Sequence, residues 1–374
     1  MKIAVIENHE IATYTIRLDL MMAFVQEGFD VNVLTEQDNS FIKDDLKKTI
    51  HVVNVGASVL NPVTAVRYMG RLNNALKRIK PDVCLTFTIR PAIYGNIVTR
   101  LLKVPTISTI TGTGPLFTSN SLSYRLARWL YSWVLKKTRK VFFPNYDDLN
   151  AFVKKGYIKN TVAVRVPGSG INYDKFSPQP CTRCGDGKFI FLFVSRLVKD
   201  KGILEFVKAA SIISTNYPAA EFHVIGPVWS NNKKSLTVTQ HELDEWIEKK
   251  WIIYHSEQKD IRPFIADADC VVMPSYREGM NNVLLEAASM ARPLIATDVT
   301  GCRDIVEDNV NGLLCKVKDG KDLAEKMKRM MSLSAEEREA MGRKGREKMI
   351  REFDKKIVVQ SYLNEVKAIV DGSK

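Results

Sequence analysis

Apolar residues in this chain gather in short β-branched runs instead of alternating regularly with polar ones. The first half holds "KIAVIE", "DVNVLT", "IHVVNV", "DVCLTFT", "TISTIT", "KVFFPN" and "VAVRV"; the second holds "KFIFLFVS", "EFHVIGP", "WIIYH", "DCVVMPS", "PLIATD" and "GLLCKV". Stretches of helical length separate them. Near-continuous apolar strands alternating with helices predict an α/β chain of parallel sheets covered on both faces. Between the halves, residues 177–188, "SPQPCTRCGDGK", carry Pro, Gly and Cys without periodicity and read as a linker. The expected organisation is an N-terminal domain over 1–176, the linker 177–188 and a C-terminal domain over 189–355, with a last helix at about 356–374 able to pack back on the first domain. Two doubly wound domains joined in this way would leave a central cleft at the carboxyl ends of their strands, where such sheets bind ligands.

One segment breaks the apolar pattern. "YREGMNNVLLEA", residues 276–287, sets Glu278 and Glu286 around a Gly-Met-Asn-Asn turn. On one continuous helix they would lie ~80° and ~12 Å apart, too far to share a small site. Gly279 disfavours that helix, and Asn281 or Asn282 is a natural N-cap. The spacing therefore predicts Glu278 on a loop and Glu286 within the first two helical turns. Glu286 stands among Val, Leu and Ala, a context that rarely keeps an unpaired carboxylate, and a vicinal diol would suit it. "FVSRLVKDKG" similarly ends a strand and opens a helix, with Arg196 and Lys201 at the turn. Cations beside a helix N-terminus can cradle a diphosphate; taken alone, the turn reads better as a solvated basic surface.

Charge adds a second asymmetry. Of the net +13, residues 1–175 hold 24 Lys and Arg against 13 Asp and Glu, and residues 176–374 hold 31 against 29. The first half is expected to face something anionic: nucleic acid, lipid headgroups or a phosphorylated substrate. Residues 121–140, "SLSYRLARWLYSWVLKKTRK", contain six cations, Arg125, Arg128, Lys136, Lys137, Arg139 and Lys140, and no acid. Leu122, Leu126, Trp129, Leu130, Trp133 and Val134 recur at three and four, so a helix here either packs that face on the core or dips Trp129 and Trp133 into a membrane interface. Both uses can hold with different residues on each face. No apolar run approaches the ~20 residues that cross a bilayer, and "MKIAVIE" shows no signal-peptide pattern, so the expected location is cytoplasmic, peripheral on the inner face of the cytoplasmic membrane.

Two metal-like patterns read as structure. Cys181 and Cys184 form a lone CxxC where zinc ribbons want two. Asp267 and Asp269 of "DAD" close a helical run and open a buried strand, and strand entry explains them better than a cation does.

Together these residues resemble retaining glycosyltransferases of family 4, which have the two-domain GT-B fold. The Arg-x(4)-Lys-Gly element, the "PSYREG" loop and the two glutamates carry the likeness, which spans essentially the whole chain. "LTFTIRPAIYGNI", "GTGPLFTSN", "VPGSGINYDKF" and "IATDVTGCRDIVEDNVNGLL" look in particular like bacterial transferases that build capsular polysaccharide, O-antigen or oligosaccharides on undecaprenyl diphosphate. The resemblance implies catalytic roles for Glu278, Arg196 and Lys201, with the two cations on the diphosphate of a nucleotide-sugar, UDP-linked by expectation. It implies that Gly279, Met280, Asn281 and Asn282 lie beside the donor sugar and that Glu286 takes the ribose hydroxyls. Acceptor contacts fall to His9, Arg17, Thr113 and Gly114, and membrane contacts to Arg125, Arg128, Trp129, Trp133, Lys136 and Lys137. Neither a metal nor another cofactor is expected, because preorganised cations and a helix end can meet the leaving charge.

The chain departs from the family where relatives carry histidines after the fourth and fifth strands of the first domain: Leu85, Phe87 and Thr111 stand there. Its N-terminal loop, "ENHEIATYTIRLDL", also lacks the family's glycines. A nucleotide-sugar epimerase on the same architecture is the alternative reading, since fold does not fix reaction. A basic nucleic-acid binder ranks below it, because no nucleic-acid module is present; the expected partners are the donor, a lipid-linked saccharide acceptor and an anionic membrane.

Overall fold

The computed structural model describes residues 1–36, 49–56, 62–112, 122–183, 187–228 and 236–372. It divides into two compact units, Met1–Ser169 with Lys355–Lys374, and Gly170–Asp354. Each of the thirteen apolar runs contains a strand.

The first unit is built on one parallel sheet of β1 (Lys2–Ile6), β2 (Asp30–Thr35), β3 (His51–Asn54), β4 (Val83–Phe87), β5 (Thr106–Thr109), β6 (Lys140–Phe143) and β7 (Ala163–Arg165). Their order is β3-β2-β1-β4-β5-β6-β7. Strands such as β4 are buried at every position, as a sheet with helices on both faces requires. The order reverses between β1 and β4, and Ile6 lies beside Thr86. Glu7-Asn8 and Thr88 therefore leave the sheet together at its switch point.

The closing helix Lys355–Asp371 belongs to this unit. It lays Val358, Tyr362, Leu363, Val366, Ile369 and Val370 against Ile3, Val5, Leu20 and Phe24. Ion pairs from Lys355 to Asp19 and from Lys367 to Glu27, each 2.6 Å, fix its register. Exposed pairs contribute at most ~1 kcal/mol each, whereas each fully buried apolar side chain contributes roughly 1.5–3 kcal/mol, so the apolar stripe docks the helix. Tyr362 adds a hydrogen bond of 2.5 Å to Thr109 and an edge-on contact with Phe142.

The helix expected over 121–140 runs Leu122–Leu135, and its apolar residues do not share one face. Tyr131, Val134 and Leu135 turn inward to the core, while Leu126 (65% exposed), Trp129 (63%) and Trp133 (43%) face solvent. A 3.6-residue period cannot distinguish one wide apolar stripe from two stripes with different partners.

The second unit repeats the design with β8 (Phe189–Val194), β9 (Ala220–Ile225), β10 (Ile253–Tyr254), β11 (Cys270–Met273), β12 (Leu294–Thr297) and β13 (Gly312–Cys315). The order is β10-β9-β8-β11-β12-β13, all parallel. Its switch point lies between β8 and β11. The segment 177–188, expected as the linker, falls inside this unit, and the chain passes between units at 169–170 and 354–355 instead. Thr182 donates from its backbone N and its Oγ1 to Asp267, both at 2.7 Å, and Arg183 pairs with Asp269 at 2.6 Å. Turn-like composition conceals this anchoring, because the carboxylates that hold the segment come from more than eighty residues away. Both acids of the "DAD" pattern are thereby occupied, Asp269 also accepting from the Ile190 N–H at 2.8 Å. Cys184 lies outside the described residues.

Candidate functional site

Two loops leave the second sheet at its switch point. After β8 the chain passes Arg196 and a 3-10 turn, Lys199–Lys201, into the helix Ile203–Ile213. Gly202 joins them at φ 79°, and a Cβ there would stand 2.0 Å from the carbonyl oxygen of Pro274. Only glycine lets this turn close on the loop after β11. Tyr276 N–H donates to the Asp200 carbonyl at 2.9 Å, a second tie between the loops. Lys201 is thus delivered to the segment that carries Glu278.

The loop after β11 ends where Asn281 caps the helix Asn282–Ser289, its side chain accepting from Leu284 N–H. Glu278 is on the loop and Glu286 is five residues into the helix, as the glycine and asparagines predicted. Lys201 Nζ reaches both carboxylate oxygens of Glu278, at 2.7 and 2.8 Å. Ser275 Oγ donates to Oε1 at 2.8 Å and Asn281 Nδ2 at 3.1 Å. The pair is largely withdrawn from water, the side chains being 21% and 10% exposed, where such contacts gain strength. Glu278 N–H donates to the Thr300 carbonyl at 3.2 Å. Gly301, at φ 79°, brings its own backbone so close that a Cβ would lie 2.8 Å from the carbonyls of Glu278 and Gly279. Burial behind this pair pushes the Cys302 thiol well above its usual range, with the Glu278 charge adding to the shift.

Arg196 is exposed on the loop after β8, Glu286 is half-buried, and Met280 packs partly on the core. The sequence pattern did not single out Ser275, Cys302 or Gly301, and it held Gly202 only as the last residue of the Arg-x(4)-Lys-Gly element. Ser275 lies within "PSYREG", but neighbouring serines and glycines carry no sign of which atom will face a carboxylate.

At the first unit's switch point, Asn8 Nδ2 donates to Thr88 Oγ1 at 2.7 Å. Thr88 sits at φ 71°, which a β-branched residue adopts only where the surroundings impose it. Arg17, expected as an acceptor contact, is instead enclosed: it is 8% exposed, 3.3 Å from Glu7, and stacked 4.1 Å over Phe87. Burial raises the Glu7 carboxyl and outweighs the opposing Arg17 charge. His9 is half-buried on the loop after β1, and Thr113 and Gly114 lie outside the described residues. Among the residues expected to contact a membrane, Arg125, Lys136 and Lys137 are exposed and Arg128 is half-buried.

Comparison with known proteins bears out the expected family and the two-sheet fold. Residues 182–348 match the family model described as glycosyl transferases group 1, and residues 2–145 match glycosyl transferase 4-like. A Campylobacter jejuni protein named N,N'-diacetylbacillosaminyl-diphospho-undecaprenol alpha-1,3-N-acetylgalactosaminyltransferase is 24% identical, over 97% of each chain. An Escherichia coli UDP-Gal:alpha-D-GlcNAc-diphosphoundecaprenol alpha-1,3-galactosyltransferase is 26% identical over 78% of each. In fold, sucrose-phosphate synthase from Thermosynechococcus elongatus superimposes with a TM-score of 0.83 at 17% identity over the whole of both chains. The HepE protein of Anabaena in complex with UDP and glucose gives 0.80 at 16% identity, covering 98% of this chain and 100% of that one.

Proposed function

The chain belongs to the glycosyltransferases, group 1 in its second unit and 4-like in its first, and from that premise we propose that it moves a sugar from a UDP-linked donor to a lipid diphosphate-linked saccharide with retention at the anomeric carbon. The observation that carries the donor half is the Lys201–Glu278 pair at the switch point of the second sheet. A carboxylate placed to bind sugar hydroxyls would by itself repel a diphosphate. Lys201 cancels that charge locally, and its ammonium is a point donor that a departing nucleoside diphosphate can share. Arg196, exposed on the preceding loop, and the free N–H groups opening the helix after Gly202 supply further positive potential. These groups, in this reading, meet the leaving charge without a metal.

Glu278 would hold donor-sugar hydroxyls and favour an oxocarbenium-like transition state. Gly279, Met280, Asn281 and Asn282 would line the sugar, and Glu286 would accept from the ribose hydroxyls. Support for the acceptor class comes from the relatives named for diphospho-undecaprenol substrates and alpha-1,3 products. The loop after β1 at the switch point of the first sheet, with His9, is proposed to receive the acceptor, and the family resemblance adds Thr113 and Gly114 to its contacts. No described helix is long and apolar enough to cross a membrane, so meeting a lipid-linked substrate would fall to the exposed face of the Leu122–Leu135 helix.

The test is transfer from a panel of UDP-sugars, preceded by a thermal-shift screen in which a bound donor at a hundred times its Kd adds about 2.7 kcal/mol. Glu278→Ala and Lys201→Ala abolish transfer and remain folded; ordinary turnover in both would refute the assignment. Incubating a UDP-sugar without acceptor tests the epimerase alternative, whose signature is an isomerised sugar.

A further inference from the structure

At the opposite edge of the first unit, away from the strand ends that carry Asn8 and Thr88, the chain enters β5 and β6 beside a cavity of about 410 Å³. Arg100, Lys103, Lys137 and Arg139 stand around it. All four are exposed, and among the described residues no acid lines the cavity and none of the four forms an ion pair. The polar side chains Thr99, Thr106 and Asn96 of the wall already have partners within the protein. Thr106 Oγ1 donates to Thr99 Oγ1 at 2.7 Å, and Asn96 is held by Ala92, Ser108 and Thr138. Free hydrogen-bonding capacity in the cavity therefore belongs to the cations. From residue 77 to residue 140 there are twelve Lys and Arg against a single acid, Asp82.

An apolar rim adjoins this cavity. Arg100 lies over the Trp133 ring at 4.4 Å, and Trp133 continues a solvent-facing stripe with Trp129 and Leu126 along its helix. Leu101, next to Arg100, is 75% exposed. A helix lying flat in a bilayer interface buries such a stripe ~5–10 Å deep and sets cations at headgroup level. Nucleic acid would use the cations but has no use for exposed leucines, and a bilayer uses both.

We infer that this cavity is a binding site for the phosphate of an anionic phospholipid headgroup, engaged when the Leu126–Trp129–Trp133 stripe enters the bilayer. The site rests on the proposed membrane-side function and adds to it a defined cavity and the residues that take the headgroup. Arg100 and Arg139 offer forked donors that fit phosphate oxygens, and Lys103 and Lys137 add point charges. Binding here uses none of the donor-site residues, so it governs where the enzyme works and leaves the chemistry to the other site.

The experiment is sedimentation of the full chain with vesicles of phosphatidylglycerol and phosphatidylethanolamine, or of phosphatidylcholine alone. A Lys103→Gln/Arg139→Gln variant is expected to bind phosphatidylglycerol vesicles about 25-fold more weakly, each surface cation contributing about fivefold, with no change on phosphatidylcholine. Leu126→Gln/Trp129→Gln weakens binding to both. Stabilisation by UDP, followed in parallel, is unchanged in the cavity variant and reports the donor site independently. Equal phosphatidylglycerol binding by the cavity variant and the unsubstituted chain would overturn the headgroup site and leave the membrane reading standing. Failure of the unsubstituted chain to sediment overturns both, as does saturation of the cavity by inorganic phosphate without vesicle binding.

Discussion

Lys201→Met isolates the charge on which the donor site depends. The variant keeps an unbranched stem of similar length and removes only the ammonium, which spans both Glu278 oxygens at 2.7 and 2.8 Å. Oε1 retains Ser275 and Asn281 as donors, whereas Oε2 loses the one protein donor seen on it. Leaving a fully buried acceptor unsatisfied costs about 1–3 kcal/mol, and more when it is charged. The lower half of that range applies here, because the Glu278 side chain is 10% exposed and can draw in water. For a unit of this size, about 1–2 kcal/mol corresponds to a fall of roughly 2–8 °C in Tm. Transfer should fall further, by about 10²–10³, the usual effect of deleting one preorganised group that meets developing charge. Nucleotide release in the presence of acceptor gives the rate, and thermal unfolding of the same sample gives the stability. Adding Glu278→Gln should restore much of the lost Tm, since the stranded charge is gone, while activity stays low. A folded Lys201→Met enzyme turning over within threefold of the unsubstituted chain would refute the reasoning.

Three further outcomes follow from the packing. Gly202→Ala drives a Cβ into the Pro274 carbonyl at a left-handed φ, so a loss of at least ~2–3 kcal/mol is expected in urea unfolding, with weakened UDP binding because the turn carries Lys201. Arg17→Met strands the buried Glu7 and should destabilise by about 3–5 kcal/mol, while Glu7→Gln in the same background recovers part of it; equal stability of the two would count against the pairing. The third concerns His223 and His255, which touch at 3.0 Å and are both held below the ordinary histidine value of 6.5 by burial, His223 despite Glu221 at 3.1 Å. A histidine with a lowered folded pKa binds fewer protons folded than unfolded, so its stabilisation is complete above about pH 6.5 and is lost as the pH falls through that value towards the folded pKa. Unfolding at pH 7.5 and 5.5 should show the drop, and His223→Gln/His255→Gln should flatten it.

Local chemistry written along the chain determined a large part of this protein. The apolar runs located the strands because a strand buried on both faces has little choice but Val, Ile, Leu and Phe, and the sheets contain them in parallel order. Gly279 and Asn281 placed Glu278 on a loop and Glu286 on a helix because the cost of glycine inside a helix and N-capping act within a few residues. What the sequence left undecided depends on partners distant along the chain. Residues 177–188 look like a hinge until Asp267 and Asp269 reach them, and Arg17 looks available until it closes on Glu7 and Phe87. The wide apolar pattern of the Leu122–Leu135 helix resolves into an inner and an outer stripe only when the core takes Tyr131, Val134 and Leu135. Lys201 and Glu278, seventy-seven residues apart, meet because β8 and β11 are neighbours at a switch point, and strand order is a property of the sheet as a whole. Periodicity records which way a side chain must face; only the tertiary structure decides what it faces.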